Sequence, residues 1–207
     1  MLFLPNHYEA NLYLRLKNFR LSGPVAFEVL KEIKDDTYLP GSAVVHPEGG
    51  PPINSMALIS SRGRKLIINE QKFVFICENN YQGEFPDLAE FAAEASKMLA
   101  KVFNFYKKKK MISHNKSTRL SLVQNGLLFE HTEADLQAIG EKLFRYSGDY
   151  EKVPAVEWDY RLVSRIPRKF DKISEECNTI TFLRRRQGQT TITKKNGEVI
   201  IEPLDSI

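Results

Sequence analysis

The chain has 207 residues, 42% hydrophobic and 27% charged, an ordinary balance for a folded protein of one large domain or two small ones. Its 30 Lys and Arg against 26 Asp and Glu leave a net charge of +4, which permits a nucleic-acid or acidic partner without requiring one. Cys77 and Cys177, a hundred positions apart with no CxxC or Cys/His cluster, exclude a structural zinc site and a disulfide scaffold and read as buried reduced thiols.

Met1 to Asn11 begins with a short apolar run, Leu2-Phe3-Leu4, cut by Pro5, and has neither the basic region nor the apolar core of a signal peptide. No run approaches the roughly 18 apolar residues of a membrane span, so the expected compartment is the cytoplasm, with no membrane partner. Leu12, Leu14 and Leu16 alternate with Tyr13, Arg15 and Lys17, a period of two that predicts a half-buried strand. Ser22-Gly23-Pro24 opens a helix with Val25, Val29, Leu30 and Ile33 on one face, ending near Asp35-Asp36. Residues 39–54, with Pro40, Gly41, Pro47, Gly49, Gly50, Pro51 and Pro52, read as a long loop of the kind that carries function.

Three strand-like runs follow: Met56 to Ser60, Lys65 to Ile68 and Lys72 to Cys77. Turns at Arg62-Gly63 and Asn69-Glu70-Gln71 join them into an antiparallel meander. Pro86 to Tyr106 is the clearest helix, with Leu88, Phe91, Ala92, Ala95, Met98, Leu99, Val102, Phe103 and Tyr106 at the 3.6 period. Acidic residues come early and Lys107 to Lys110 last, matching the helix dipole. A strand at Thr118 to Gln124, a hairpin at Asn125-Gly126 and a return strand at Leu127 to Glu130 come next.

Thr132 with Asp135 caps another helix, with Leu136, Ile139, Leu143 and Phe144 inward, Glu141 and Arg145 paired, and Gly148 at its end. Val156, Trp158, Tyr160 and Leu162 alternate with charged residues. Thr179 to Arg186, Gln189 to Lys194 and Glu198 to Ile201 form a second meander, turned at Gln187-Gly188 and Asn196-Gly197.

These elements predict an α+β fold, with antiparallel sheets covered by two to three amphipathic helices. Leu12 to Cys77 and Arg119 to Ile201 share an order of strand, helix and meander. Division into halves at 1–110 and 111–207, around a boundary near 107–117, follows from that order, as does one continuous domain.

Lys101 through Phe129 contains no acidic residue, while Lys101, Lys107, Lys108, Lys109, Lys110, Lys116 and Arg119 give seven positive charges, a field suited to a phosphate backbone. Phe105, Tyr106 and His114 lie close by for stacking on bases. A solvated helix C-terminus accounts for the same lysines. A second basic cluster comprises Arg161, Arg165, Arg168, Lys169 and Lys172, with Arg184, Arg185 and Arg186 further on. Arg184 and Arg186 share one face of a strand and Arg185 the other, where burial would call for a carboxylate. Charges guarding a sheet edge are the plainer explanation.

His7, His46, His114 and His131 form no HxH, HxxxH or HExxH pattern. His46 with Glu48, Glu84 with Asp87, and Glu157 with Asp159 are the close acid–base or carboxylate pairs, and ordinary surface polarity explains each. GxSxG, GxxxxGK[ST] and GxGxxG do not occur.

The sequence thus assigns no catalytic residue, metal or cofactor and leans away from an enzyme. It points first to a non-enzymatic interaction or self-assembling accessory protein, a homodimer or a partner to another protein. The contact would run through a sheet edge, an apolar patch or residues 39–54. Nucleic-acid binding through Lys107 to Lys110, Lys116, Arg165, Arg168 and Lys169 is the alternative. A hydrolase or nuclease assembled from His46, Glu48, Glu157 and Asp159 comes last.

Overall fold

The computed structural model describes residues 2–35, 37–46, 50–79, 85–112, 119–129, 132–143, 158–170, 173–193 and 199–206. They form a mixed α+β protein with two sheets, in two compact units: Pro5–Gly126, and Met1–Leu4 with Leu127–Ile207.

In the first sheet the order is β2-β3-β4-β5-β1-β6, from β1 (Leu2–Tyr13), β2 (Tyr38–Val45), β3 (Ile53–Ser60), β4 (Arg64–Ile68), β5 (Lys72–Glu78) and β6 (Arg119–Phe129). The expected meander is present as β3-β4-β5, with antiparallel ladders. Gly63 makes its first turn at φ 72°, a conformation that costs glycine little. In the second turn the Asn69 side-chain oxygen accepts from the amides of Gln71 and Lys72, both at 2.9 Å, so the side chain templates the turn. Phe73 through Cys77 are all buried, so both faces of β5 are covered there and the alternation of a half-exposed strand is absent.

Helix α2 (Leu88–Lys108) starts at Asp87, whose carboxylate accepts from the Glu90 amide at 2.8 Å while the Glu90 carboxylate accepts from the Asp87 amide at 3.2 Å. Its apolar stripe meets the sheet through aromatic rings: Phe91 lies 5.1 Å from Tyr8 and 5.7 Å from Phe75, and Tyr106 lies 5.4 Å from Phe73. Helix α1 (Gly23–Ile33) buries Ala26, Val29 and Ile33, with Val25 and Leu30 packed at the margin of the core. Lys34 closes it at φ 57°, and Lys101 of α2 donates to the Ile33 carbonyl at 2.7 Å, satisfying a carbonyl that has no partner inside the helix. Asp35 belongs to the following turn, where it accepts from the Thr37 amide and hydroxyl at 3.0 and 2.7 Å.

Four expectations are corrected. The loop assigned to 39–54 is a strand over its first part: β2 pairs with β3 from Tyr38↔Ser60 to Val45↔Ile53. Its Pro and Gly misled because β2 is an edge strand, where a missing N–H is tolerated. Residues 47–49 lie outside the described residues. The first strand starts at Leu2, not Leu12, and runs through Pro5, which precedes the first residue paired with β5, His7, so no bond of that ladder is lost. Leu14 and Leu16 are buried as the alternation requires, but they lie beyond the regular strand.

The Asn125-Gly126 hairpin does not form. β6 continues straight through, and the described residues with positive φ are Asn18, Lys34, Gly63 and Lys110, so the backbone of a primed turn is absent there. Gln187-Gly188 is likewise not a turn, because β8 (Ile173–Thr193) is one long strand. Its residues 173–185 pair with β7 (Trp158–Phe170) and 186–193 with β9 (Val199–Ser206), so the strand changes partner between Arg185 and Arg186 and Gly188 pairs with Leu204 inside the second ladder.

The second sheet has the order β7-β8-β9. Helix α3 (Glu133–Leu143) starts as expected: the Thr132 amide donates to Asp135 at 2.8 Å and the Asp135 amide to the Thr132 hydroxyl at 3.2 Å. Leu136 is buried and Ile139 half-buried. The side chains of Glu141 and Leu143, with Phe144, Arg145, Gly148, Val156 and the Asn196-Gly197 turn, lie outside the described residues.

Candidate functional site

The register of β1 on β5 sets the two faces of the larger sheet. Tyr8, Ala10 and Leu12 stand opposite Cys77, Phe75 and Phe73 on the face that meets α2, leaving His7, Glu9, Asn11 and Tyr13 on the reverse face. Asn11 is 2% exposed, and its polar atoms are satisfied. It donates to Glu9 at 2.6 Å and to the Ser121 hydroxyl at 3.1 Å, and accepts from Lys72 at 3.2 Å. The Arg119 guanidinium lies 5.3 Å from the Tyr13 ring centre and the Lys72 ammonium 5.7 Å. These contacts hold Arg119 and Ser121 of β6 on the reverse face, so Leu120 and Leu122 point to the α2 face.

There they line a groove of about 410 Å³ with Ala10 and Leu12 of β1 and the flank of α2. On that flank Ala92, Ser96 and Ala100 recur every fourth residue, and Phe103 closes the end. The groove lining contains no charged side chain. Leu120 is 67% and Leu122 47% exposed, and Val123 on the reverse face is 36% exposed, so the outermost strand shows apolar side chains on both faces. A second cavity, of about 540 Å³, lies among Phe19, Leu21, Pro51, Pro52, Glu70 and Gln71.

The lysine cluster is partly engaged within the fold. Lys108 pairs with Glu32 at 3.0 Å, and Lys109 with Glu28 at 2.8 Å, while lying 5.7 Å from the Phe105 ring centre. Lys107 and Lys110 are exposed; Lys116 and His114 lie outside the described residues. Phe105 and Tyr106, considered above for stacking on bases, are buried in the core. Arg165 and Arg168 belong to the other compact unit, where both are exposed; Lys172 and the side chains of Lys169 and Arg186 are outside the described residues. Arg184 is exposed and donates to Asp159 at 2.9 Å, whereas Arg185 is 2% exposed.

The acid–base candidates do not assemble among the described residues. His46 is exposed just past β2, and Glu48, Glu84, Glu157 and His131 lie outside the described residues. Asp87 is spent as a helix cap and Asp159 in its pair with Arg184. His7 lies 3.6 Å from Glu9. Cys77 is buried and accepts from Arg64 at 3.0 Å, while Arg64 also holds Glu94 at 3.0 Å. Burial pushes the Cys77 thiol up, against the pull of Arg64, which disfavours a reactive thiolate. Burial likewise raises the phenols of Tyr38 and Tyr106. No group of three or more His, Cys, Asp and Glu among the described residues could hold a metal ion. None of the described helices is long and apolar enough to cross a membrane.

The groove was missed in the sequence because the hairpin expected at Asn125-Gly126 gave β6 a neighbour on its open side. The signal was present in Leu120, Leu122 and Val123, an uncharged run that includes two adjacent apolar residues, which a single buried face does not require. No protein-family model matches the chain, and neither a curated protein nor a solved structure is found to be similar to it.

Proposed function

We propose that the chain is a non-enzymatic, self-associating protein whose contact surface is the β6 edge with the adjoining α2 groove. The observation that carries this reading is the contrast between the two edges of the six-stranded sheet. β2 contains Pro40, a residue that obstructs pairing by another strand. β6 from Leu120 to Gly126 has no proline and no charge, and exposes apolar residues on both faces. Such an edge invites another strand.

A second copy fits it by symmetry. Antiparallel pairing of β6 with itself about Ser121 sets each Leu120 opposite the partner's Leu122 on the groove side, a cluster of four leucines with no like charges opposed. That pairing joins Arg119 to Val123 of each copy, five residues that span roughly 17 Å, and a sheet with one helix layer is roughly 20 Å thick. The resulting strip of roughly 340 Å² is below the roughly 800 Å² per partner of a standard stable interface, so the dimer is expected to be weak and concentration-dependent.

Light scattering on a sizing column tests this. The wild type is expected to run as a dimer whose fraction falls on dilution, and Leu122→Lys as a monomer with an unchanged far-ultraviolet circular dichroism spectrum. A wild type that stays monomeric at high concentration overturns the reading.

A further inference from the structure

The β7–β8 ribbon, independent of the β6 edge, carries a second surface. Its ladder runs from Trp158↔Arg185 to Phe170↔Ile173, so residues directly opposite share a face. One face presents Arg161, Val163 and Arg165 against Phe182, Ile180 and Asn178. All six are exposed. So are Leu162 and Thr181 on the reverse face. On that reverse face, however, Tyr160, Ser164, Ile166, Cys177 and Leu183 are half-buried and Arg185 is buried, so the first face, exposed along its described length, is the one open to a partner.

Charge and size identify that partner. Arg161 stands opposite Phe182 and Arg165 opposite Asn178, so neither faces an acid across the ladder. Arg168 is exposed but lies on the reverse face opposite Glu175, outside this field; on the first face Arg184 lies 4.9 Å from the Phe182 ring centre and neutralises Asp159, so Arg161 and Arg165 outnumber Glu176, the other exposed acid described there. Arg161 and Arg165, four residues apart on one strand, are separated by roughly 13 Å. The major groove of B-form DNA is about 12 Å wide and admits a two-stranded ribbon, whereas the A-form RNA groove is too narrow. Phe182, Ile180 and Val163 between the arginines match thymine methyl groups, and Asn178 offers both donor and acceptor to base edges.

We infer that the β7–β8 ribbon binds the major groove of duplex DNA, with Arg161 and Arg165 on phosphates of its two walls and Phe182, Ile180 and Asn178 facing the bases.

Fluorescence anisotropy of the full chain with a labelled 20-base-pair DNA duplex, from 50 to 200 mM salt, tests this. The same titration is run with a 20-base-pair RNA duplex and with heparin, an anion without a groove. Wild type is expected to prefer DNA over both. The Arg161→Gln/Arg165→Gln variant is expected to reduce the slope of log affinity against log salt by about 1.8, two phosphate contacts at ~0.9 each. Lys107→Gln/Lys110→Gln should leave that slope unchanged. Both pairs are exposed, so circular dichroism should match wild type for each. Three results would each overturn the inference: no DNA binding at 50 mM salt, equal affinity for DNA, RNA and heparin, or a slope that follows the lysines instead of the arginines.

Discussion

Replacing Tyr106 with Phe should stabilise the protein. Tyr106 is 0% exposed, packed against Phe73 and edge-on to Phe105 with ring centres 5.0 Å apart. Its hydroxyl is the buried side-chain polar atom without a hydrogen-bond partner among the described residues. In the unfolded chain that hydroxyl is hydrated, so folding strips its water and returns nothing, a penalty of about 1–3 kcal/mol for a neutral group. Phenylalanine keeps the ring and removes the atom that bears the penalty. A gain of about 1 kcal/mol is expected after allowing for some packing lost around the vacated oxygen. For a cooperative unit the size of Pro5–Gly126, an unfolding entropy of roughly 2.1 cal/mol/K per residue converts that gain to about 4 °C in melting temperature. Urea titration at pH 7 measures it directly, as a higher midpoint at unchanged slope. A lower midpoint would refute the reasoning, because it would mean the hydroxyl is satisfied in the folded protein.

Two further substitutions test how local sequence sets the fold. Asp87→Ala removes one half of the α2 capping box and should lower stability by about 1 kcal/mol, read as a reduced urea midpoint; no change would mean the helix start is fixed by packing alone. The Thr37 hydroxyl and amide hold the Asp35 carboxyl below its usual range, so its stabilisation is full above the unfolded value near pH 4 and is lost as pH falls toward the folded value. Asp35→Asn should therefore be less stable than wild type at pH 7, with the gap closing below pH 4. A gap that persists at pH 2 would assign the effect to packing instead of charge.

What was legible in the sequence is what local chemistry decides. The α2 stripe, the turns at Gly63 and Asn69 and the Thr132 cap each depend on residues within a few positions of one another. What was not legible depends on distant pairing. Pro40 and Asn125-Gly126 are turn formers by composition, yet the neighbouring strand or the sheet edge decides their conformation, and neither is written nearby. The groove followed the same rule. Leu120 and Leu122 are ordinary strand residues until Ser121 is tied to Asn11, 110 positions away, which turns them toward α2. The arginine cluster was visible as a cluster, but only the register of β7 on β8 separates exposed Arg161 and Arg165 from buried Arg185. Phe105 was omitted from the α2 stripe, yet it is buried beside Tyr106, because the stripe widens at the end of the helix.

Amide hydrogen exchange across a concentration series tests the self-association claim most directly. β6 is the last strand of its sheet, and among the described residues no strand pairs with its open side, which leaves one row of backbone N–H groups for a partner. Protection at Arg119 to Val123 should rise with concentration, while the buried strand β5 stays equally protected throughout. Exchange at β6 that is independent of concentration, in a sample that light scattering shows to be dimeric, would place the contact elsewhere and contradict the account.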